Sequence, residues 1–326
     1  MLNNQQILVF DTSVATSNLG DLIIMDTIWK ELDVLFPSAH FINTSTHEVV
    51  GRTSYALSKS SNFSFVGGTN LLSSNMNSYN QWKINWVDSL FLKDIILMGV
   101  GWWQYQKKPN LYTNVLYRRI LHRELMHSVR DEYTKKQLFS IGIKNVINTG
   151  CPTMWQFTPE FCDNVPTMKA KSVVFTLTDY NKDRKKDIFL IETLKKAYDS
   201  VSFWPQGMGD LTYMDSLGQK GIHIISPNLD SYDKLLHECD SLDYIGTRLH
   251  AGIRALQHKR RAVIIAVDNR ATEIHKDTNI PIISRSDIHS LPEIITSDIK
   301  TEISLKESNI KKWKAQFEAY NESING

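Results

Sequence analysis

Short apolar runs alternate with stretches of helical periodicity along almost the whole chain, the pattern of parallel sheets covered by helices. In the first half the runs predict strands near 7–10, 40–43, 63–66, 95–98, 125–128 and 145–148. Ile24, Ile28, Leu32 and Leu35 fall on one helical stripe and predict a helix over Asp21–Leu35. Residues Thr158–Lys171 carry two prolines and little periodicity, so the domain boundary is placed there, giving domains 1–157 and 158–326. The second half repeats the alternation, with strands near 172–177, 201–204, 222–225, 243–246, 262–267 and 281–284. From about Glu302 the chain reads as one polar amphipathic helix, assigned to the second domain. The expected fold class is α/β, with two similar halves of parallel sheet covered by helices.

In such sheets a ligand sits beyond the carboxyl ends of the strands, which directs attention to the residues that follow each run. These include Asn18-Leu19-Gly20-Asp21, Gly67-Gly68-Thr69-Asn70, Gly99-Val100-Gly101, Ser128-Val129-Arg130-Asp131, Thr149-Gly150-Cys151-Pro152, Pro205-Gln206-Gly207 and Gly246-Thr247-Arg248. The most informative segment is Asp243–Arg254, which reads as a buried strand, a Gly246-Thr247 turn and a helix opening with Arg248, Leu249 and His250. A helix start presents unpaired N–H groups and the positive end of its dipole, so cations added there make a place for a small anion. Leu249, Ile253 and Leu256 should face the core, which turns His250 and Arg254 toward an open face.

Arg130 repeats the logic of Arg248 in the first half. Two arginines from the two halves could converge on a multiply charged ligand, because the planar guanidinium fork binds phosphate or carboxylate through paired hydrogen bonds. The structural alternative is an Arg130 paired with Asp131. Gly68 and Thr69 lie where backbone can approach a ligand, although a tight βα turn requires glycine anyway. Asn18 or Asp21 could cap the first helix, and Asp21 could instead act as a base toward a sugar hydroxyl. His250, beside two arginines, could carry a proton near neutral pH. The basic run His258-Lys259-Arg260-Arg261 reads as a solvated helix end with weak attraction to anionic lipid.

Composition narrows the function classes. A 326-residue chain with net charge +2 is not a dedicated nucleic-acid binder. Cys151, Cys162 and Cys239 are scattered and odd in number, so no disulfide framework is expected and a cytoplasmic location is favoured. No apolar run approaches about 18 residues and no leader precedes the first strand, so neither secretion nor a membrane span is expected. No two aspartates stand two apart, and a tightly bound divalent metal is not predicted.

Taken in order, these motifs resemble the polysaccharide pyruvyl transferase family. Asn18-Leu19-Gly20-Asp21 is similar to its Asn-x-Gly-Asp, Gly67-Gly68-Thr69 to its glycine run and Ser128-Val129-Arg130-Asp131 to its Ser-x-Arg-Asp. The segment from Asp243 to Asp268, with Arg248-Leu249-His250, is the most specific match. Thr69 replaces the third glycine of the run, and Cys151 stands where many members have aspartate. The resemblance implies two Rossmann-like domains facing across a cleft in the glycosyltransferase-B arrangement, with phosphoenolpyruvate as donor and no cofactor. It also implies transfer of pyruvate as a cyclic ketal onto a sugar of a cell-surface polysaccharide or its lipid-linked precursor, at the inner face of the membrane if the acceptor is lipid-linked. Arg130, Arg248, Leu249 and His250 are implied as donor contacts, with Arg254 added from helix geometry. His250 is the expected acid and Asp21 the expected base, with Asn18, Gly68, Thr69, Gln206 and Thr247 also lining the cleft. Two rival readings are a nucleotide-sugar glycosyltransferase of similar fold and a non-enzymatic binding protein, and the oligomeric state is left open.

Overall fold

The computed structural model describes residues 5–325. These residues cluster into two compact units. The first takes the chain up to Thr16, Ile24–Trp155 and the segment from Leu305, while the second takes Ser17–Ile23 and Gln156–Ser304.

The first unit is built on a parallel sheet of β1 (Gln6–Asp11), β2 (His40–Ser45), β3 (Phe63–Gly67) and β4 (Ile95–Met98), in the order β2-β1-β3-β4. Ile7 sits opposite Phe63 and Ser64 opposite Ile95. A second parallel pair, β5 (His127–Val129) and β6 (Val146–Asn148), continues beside β4, to which it is joined by Gly99 N–H donating to the Ser128 carbonyl at 3.0 Å. Every residue of β3 and β4 is buried, as expected for strands covered on both faces. The predicted stripe Ile24, Ile28, Leu32 and Leu35 is buried on the helix Leu19–Leu35. This helix starts two residues before the sequence reading placed it.

The terminal helix Glu307–Asn325 belongs to the first unit, which corrects its assignment to the second domain. The cause is aromatic. Trp313 and Phe317 are fully buried, with Phe65 to Phe317 at 5.3 Å and Phe36 to Phe317 at 5.6 Å between ring centroids. Trp313 Nε1 also donates to the Met126 carbonyl at 2.8 Å. Two rings of this size stabilise by several kcal/mol on burial, on the order of 25 cal/mol per Å².

The second unit holds β7 (Ser172–Phe175), β8 (Ser200–Phe203), β9 (His223–Ile224), β10 (Leu242–Gly246), β11 (Ala262–Ala266) and β12 (Ile282–Ser284) in one parallel sheet. The order β12-β11-β10-β7-β8-β9 is that of the doubly wound dinucleotide fold, in which the direction of winding reverses between the first and fourth strands. That switch point lies between β7 and β10, so the loops leaving these two strands flank the natural ligand crevice of this unit. The mixed α/β class with parallel sheets is the one read from the alternation of apolar runs.

Candidate functional site

Beyond the carboxyl ends of β7, β8 and β10 a polar network forms around Arg248. Tyr244 Oη donates to the Arg248 carbonyl at 2.7 Å, and the Arg248 N–H donates to Thr176 Oγ1 at 3.1 Å, so the backbone is fixed before the side chain is considered. Thr247 adds a clip, with its hydroxyl 2.7 Å from that of Thr178. The guanidinium is buried. Its Nε donates to Asp210 Oδ2 at 2.9 Å and to the Leu177 carbonyl at 3.1 Å, and its Nη2 donates to Asp179 Oδ1 at 2.9 Å and also to Asp210 Oδ1. Nη1 has no acceptor among the described residues. Burial alone would weaken the charge of Arg248, but the Asp210 carboxylate outweighs it and holds the pKa above the ordinary value.

Gly207 faces this group closely, and a β-carbon there would collide with the Arg248 guanidinium. The same loop anchors the N-terminal motif. Leu19 N–H donates to the Gln206 carbonyl at 2.9 Å, and Gln206 Nε2 donates to Asn18 Oδ1 at 2.8 Å. This stitching explains why Ser17–Ile23 belongs to the second unit. Asn18 therefore serves as a clasp between loops as well as accepting from the Gly20 N–H at 3.2 Å. Gln206 is buried, and its Oε1 has no hydrogen-bond partner among the described residues.

Tyr180 and Arg270 extend the network toward β11. Arg248 lies over the Tyr180 ring at 5.0 Å and Arg270 over the same ring at 5.5 Å. Asp268 caps the helix Asn269–Thr278 through the Arg270 N–H and binds the Arg270 side chain. Burial would raise the Asp268 pKa, but Arg270 outweighs it and holds the carboxyl down at about 2. The buried Asp21 adds to the field that keeps Arg270 charged. Leu249 and His250 are buried in the first turn of the helix Leu249–Gln257, whose start carries no side-chain cap. Its first N–H groups are consequently not taken by a capping side chain.

The expected open face of this helix does not form. Arg254 donates from Nε to Asp233 Oδ1 at 2.7 Å, from Nη2 to Oδ2 at 2.6 Å and from Nη1 to Gln257 Oε1 at 3.1 Å. All three nitrogens are engaged, and the residue ties its helix to the neighbouring Leu229–Glu238. Three of the four residues of the basic run are likewise engaged within the fold. Arg261 is buried against Asp243 at 2.8 Å, Arg260 donates to the carbonyls of Leu236, His237 and Asp240, and His258 lies 3.4 Å from Asp233. Lys259 remains exposed, while the other three residues of the run serve as internal ties.

In the first unit Arg130 follows β5 and is 1% exposed. Nε donates to Asp131 at 3.4 Å and Nη2 to Asn70 Oδ1 at 2.5 Å, while Nη1 is buried without an acceptor among the described residues. The pairing with Asp131 exists, yet it leaves one donor over. Asp131 is also the cap of the helix Glu132–Ser140, accepting from Thr134 N–H at 2.7 Å. A β-carbon at Gly101 would collide with the guanidinium, so a larger residue there would push Arg130 aside. Gly68 packs on the Gly99 carbonyl, and the Thr69 carbonyl accepts the Gly101 N–H at 2.9 Å. Cys151 is buried in the same region, and burial raises its thiol pKa.

Asp179, Asp210, Tyr180 and Arg270 escaped the sequence reading, and Asn70 was noted only for its place after a strand. Asp268-Asn269-Arg270 follows a strand, as Arg130 and Arg248 do, and that position was the available signal. Among the described residues no cluster of His, Cys, Asp and Glu is placed to hold a metal ion, and no helix is long and apolar enough to cross a membrane.

A family model described as polysaccharide pyruvyl transferase matches residues 18–269. No curated protein matches the sequence. Among solved structures the chain is similar to the wall teichoic acid polymerase TagF, with 13% identity and a TM-score of 0.44 over 98% of this chain and 82% of that one. It is also similar to a UDP-GlcNAc 2-epimerase from Neisseria meningitidis, with 13% identity and a TM-score of 0.43 over 90% of this chain and 94% of that one.

Proposed function

The chain belongs to the polysaccharide pyruvyl transferase family, and from that premise we propose that it moves the pyruvyl group of phosphoenolpyruvate onto a sugar of a cell-surface polysaccharide or its lipid-linked precursor. The family makes it a transferase. The donor, the ketal product and the site roles below are the proposal.

The observation that carries the reading is the leftover donor of Arg130. Its guanidinium is held by Asp131 and Asn70, and Nη1 remains buried with nothing to bind. An unmet buried donor costs about 1–3 kcal/mol, more when charged, and an anionic oxygen of a substrate relieves that cost. Arg248 is built the same way, with two nitrogens fixed by aspartates and Nη1 left over. Phosphoenolpyruvate carries a phosphate and a carboxylate on three carbons, and either anionic group can accept from such a nitrogen. Arg248 is assigned to the phosphate, together with the uncapped N–H groups at Leu249, and Arg130 is kept as a proposed anion contact of the first unit.

In the proposed reaction His250 gives a proton to the methylene carbon, leaving a cationic carbon bonded to the phosphate oxygen. A sugar hydroxyl attacks that carbon and passes its proton to Asp21. A second hydroxyl then attacks the same carbon, the carbon–oxygen bond to phosphate breaks, and inorganic phosphate leaves with the second proton. Arg248 stabilises the charge developing on phosphate. Gln206 Oε1, buried and unpartnered, accepts from an acceptor hydroxyl. Arg254 has no place in the donor set, because Asp233 and Gln257 occupy it.

Thermal melting tests the donor assignment. A ligand that binds only the folded state raises the melting temperature. Phosphoenolpyruvate should do so, and uridine and guanosine diphosphates should not. A shift with a nucleotide diphosphate and none with phosphoenolpyruvate would replace this reading with a nucleotide-sugar glycosyltransferase.

A further inference from the structure

The helix Leu111–Ile120 ends with Arg118 and Arg119, and Arg123 follows two residues beyond Leu121. These three exposed arginines line a groove of about 520 Å³ that also takes in Leu111, Asn114 and Ile143. The groove lies at the amino ends of β4, β5 and β6, the opposite ends of those strands from Gly101 and Arg130. No carboxylate lines it. Arg118 and Arg123 have no ion-pair partner among the described residues. Helix-end placement suits cations toward the dipole, but Arg123 lies outside the helix.

An apolar turn adjoins the arginines. Trp86, Val87, Leu90 and Phe91 are each 43–56% exposed, and Leu111 is 78% exposed. Single exposed apolar residues are ordinary, whereas four within six positions form a patch. The patch is fixed to the basic helix. Trp86 N–H donates to Tyr112 Oη at 3.0 Å, Arg119 lies over the Trp86 ring at 5.0 Å, and its Nε donates to the Ser89 carbonyl at 3.4 Å. The one aspartate of the turn, Asp88, is buried and accepts from Tyr55 Oη and from the Asn85 N–H. Asn114 Oδ1, at the groove wall, is a buried acceptor without a partner among the described residues.

We propose that this face docks on an anionic phospholipid bilayer, with Trp86, Leu90 and Phe91 entering the interface and Arg118 and Arg123 on headgroup phosphates. Cations beside exposed aromatic and aliphatic side chains are what such an interface selects. The buried Asn114 oxygen suits a headgroup that also bears hydroxyls, as phosphatidylglycerol does. The proposal goes beyond the reaction proposed above and stands without it, since none of these residues belongs to the proposed donor machinery.

The test is co-sedimentation of the full chain with phosphatidylcholine vesicles and with vesicles containing phosphatidylglycerol. Binding should require phosphatidylglycerol and fall at high salt. Each arginine near a charged surface contributes about fivefold in affinity, so Arg118→Ala with Arg123→Ala should weaken binding roughly 25-fold. The doubly Lys-substituted chain should retain it, which guards against a variant that merely misfolds. Leu90→Ser with Phe91→Ser should also release the protein from vesicles. Equal binding to both vesicles, or an arginine-free variant that still binds, would overturn the proposal. Millimolar phosphate stripping the protein at constant ionic strength would mark a free-phosphate site instead. A dimer in solution lost in the Leu90 and Phe91 variant would mark a self-interface, again overturning it. Phosphate release with a water-soluble glycan should be unchanged in the arginine variants, so failure of membrane binding and failure of the catalytic reading remain separable.

Discussion

Acidification should destabilise the first unit through His127. This residue opens β5, the strand that carries Arg130, and is fully buried. Its Nδ1 accepts the Leu97 N–H at 3.2 Å, so Nε2, 2.9 Å from the His122 carbonyl, carries the hydrogen. Burial pulls its pKa down from 6.5 to about 4. Between those values the unfolded chain takes up a proton that the folded chain refuses, so stability rises with pH in that window and falls on acidification. The full difference is worth about 3 kcal/mol, of which about 2 kcal/mol is lost between pH 8 and pH 5. Urea unfolding followed by tryptophan fluorescence reads this unit, because only Trp204 of the eight tryptophans lies in the other. With a slope of about 2 kcal/mol per M, the midpoint should fall by about 1 M between the two pH values. In His127→Gln, whose amide can accept from Leu97 and donate to His122, that part of the loss should vanish. Equal losses in both proteins would refute the reasoning.

Three further outcomes separate structural from chemical roles. Arg130→Ala and Arg248→Ala should each abolish phosphate release from phosphoenolpyruvate with a folded circular dichroism spectrum. The Arg248 variant should also be less stable, by about 3–5 kcal/mol, because Asp210 is left buried without its partner; wild-type release in either would remove that residue from the donor clamp. Arg254→Ala should lower stability by roughly 1–3 kcal/mol yet leave phosphate release per folded molecule near normal, and a selective loss of turnover would return Arg254 to the donor site. Gly207→Ala should displace the Arg248 guanidinium and reduce phosphate release at least tenfold, judged by steady-state kinetics; unaltered kinetics would show that the close approach does not matter.

Much of the fold was legible in the linear pattern, because a strand buried on both faces is an uninterrupted apolar run whatever it pairs with. Val173, Val174 and Phe175, or Ile95 through Met98, announce themselves. Arg248 and Arg130 were legible for a related reason, since each directly follows such a run and opens a helix. What local pattern could not reveal was which charges find each other. Asp210 and Asp179 lie 38 and 69 positions from Arg248, and Asp233 lies 21 from Arg254. Pairing at that distance is decided by the loops around the sheet, so an apparently open cationic helix face became a tie between two helices. The docking of Trp313 and Phe317 on the first sheet was hidden similarly, because a polar amphipathic helix does not state which unit it covers.

The central claim is tested most directly by incubating the protein with phosphoenolpyruvate and a candidate glycan and reading the glycan by mass spectrometry alongside phosphate release. The account predicts a glycan heavier by one ketal-linked pyruvyl group and one phosphate freed for each group added, with neither seen in Arg248→Ala. Transfer of a sugar from a nucleotide donor to the same glycan, with no pyruvyl product from phosphoenolpyruvate, would contradict it.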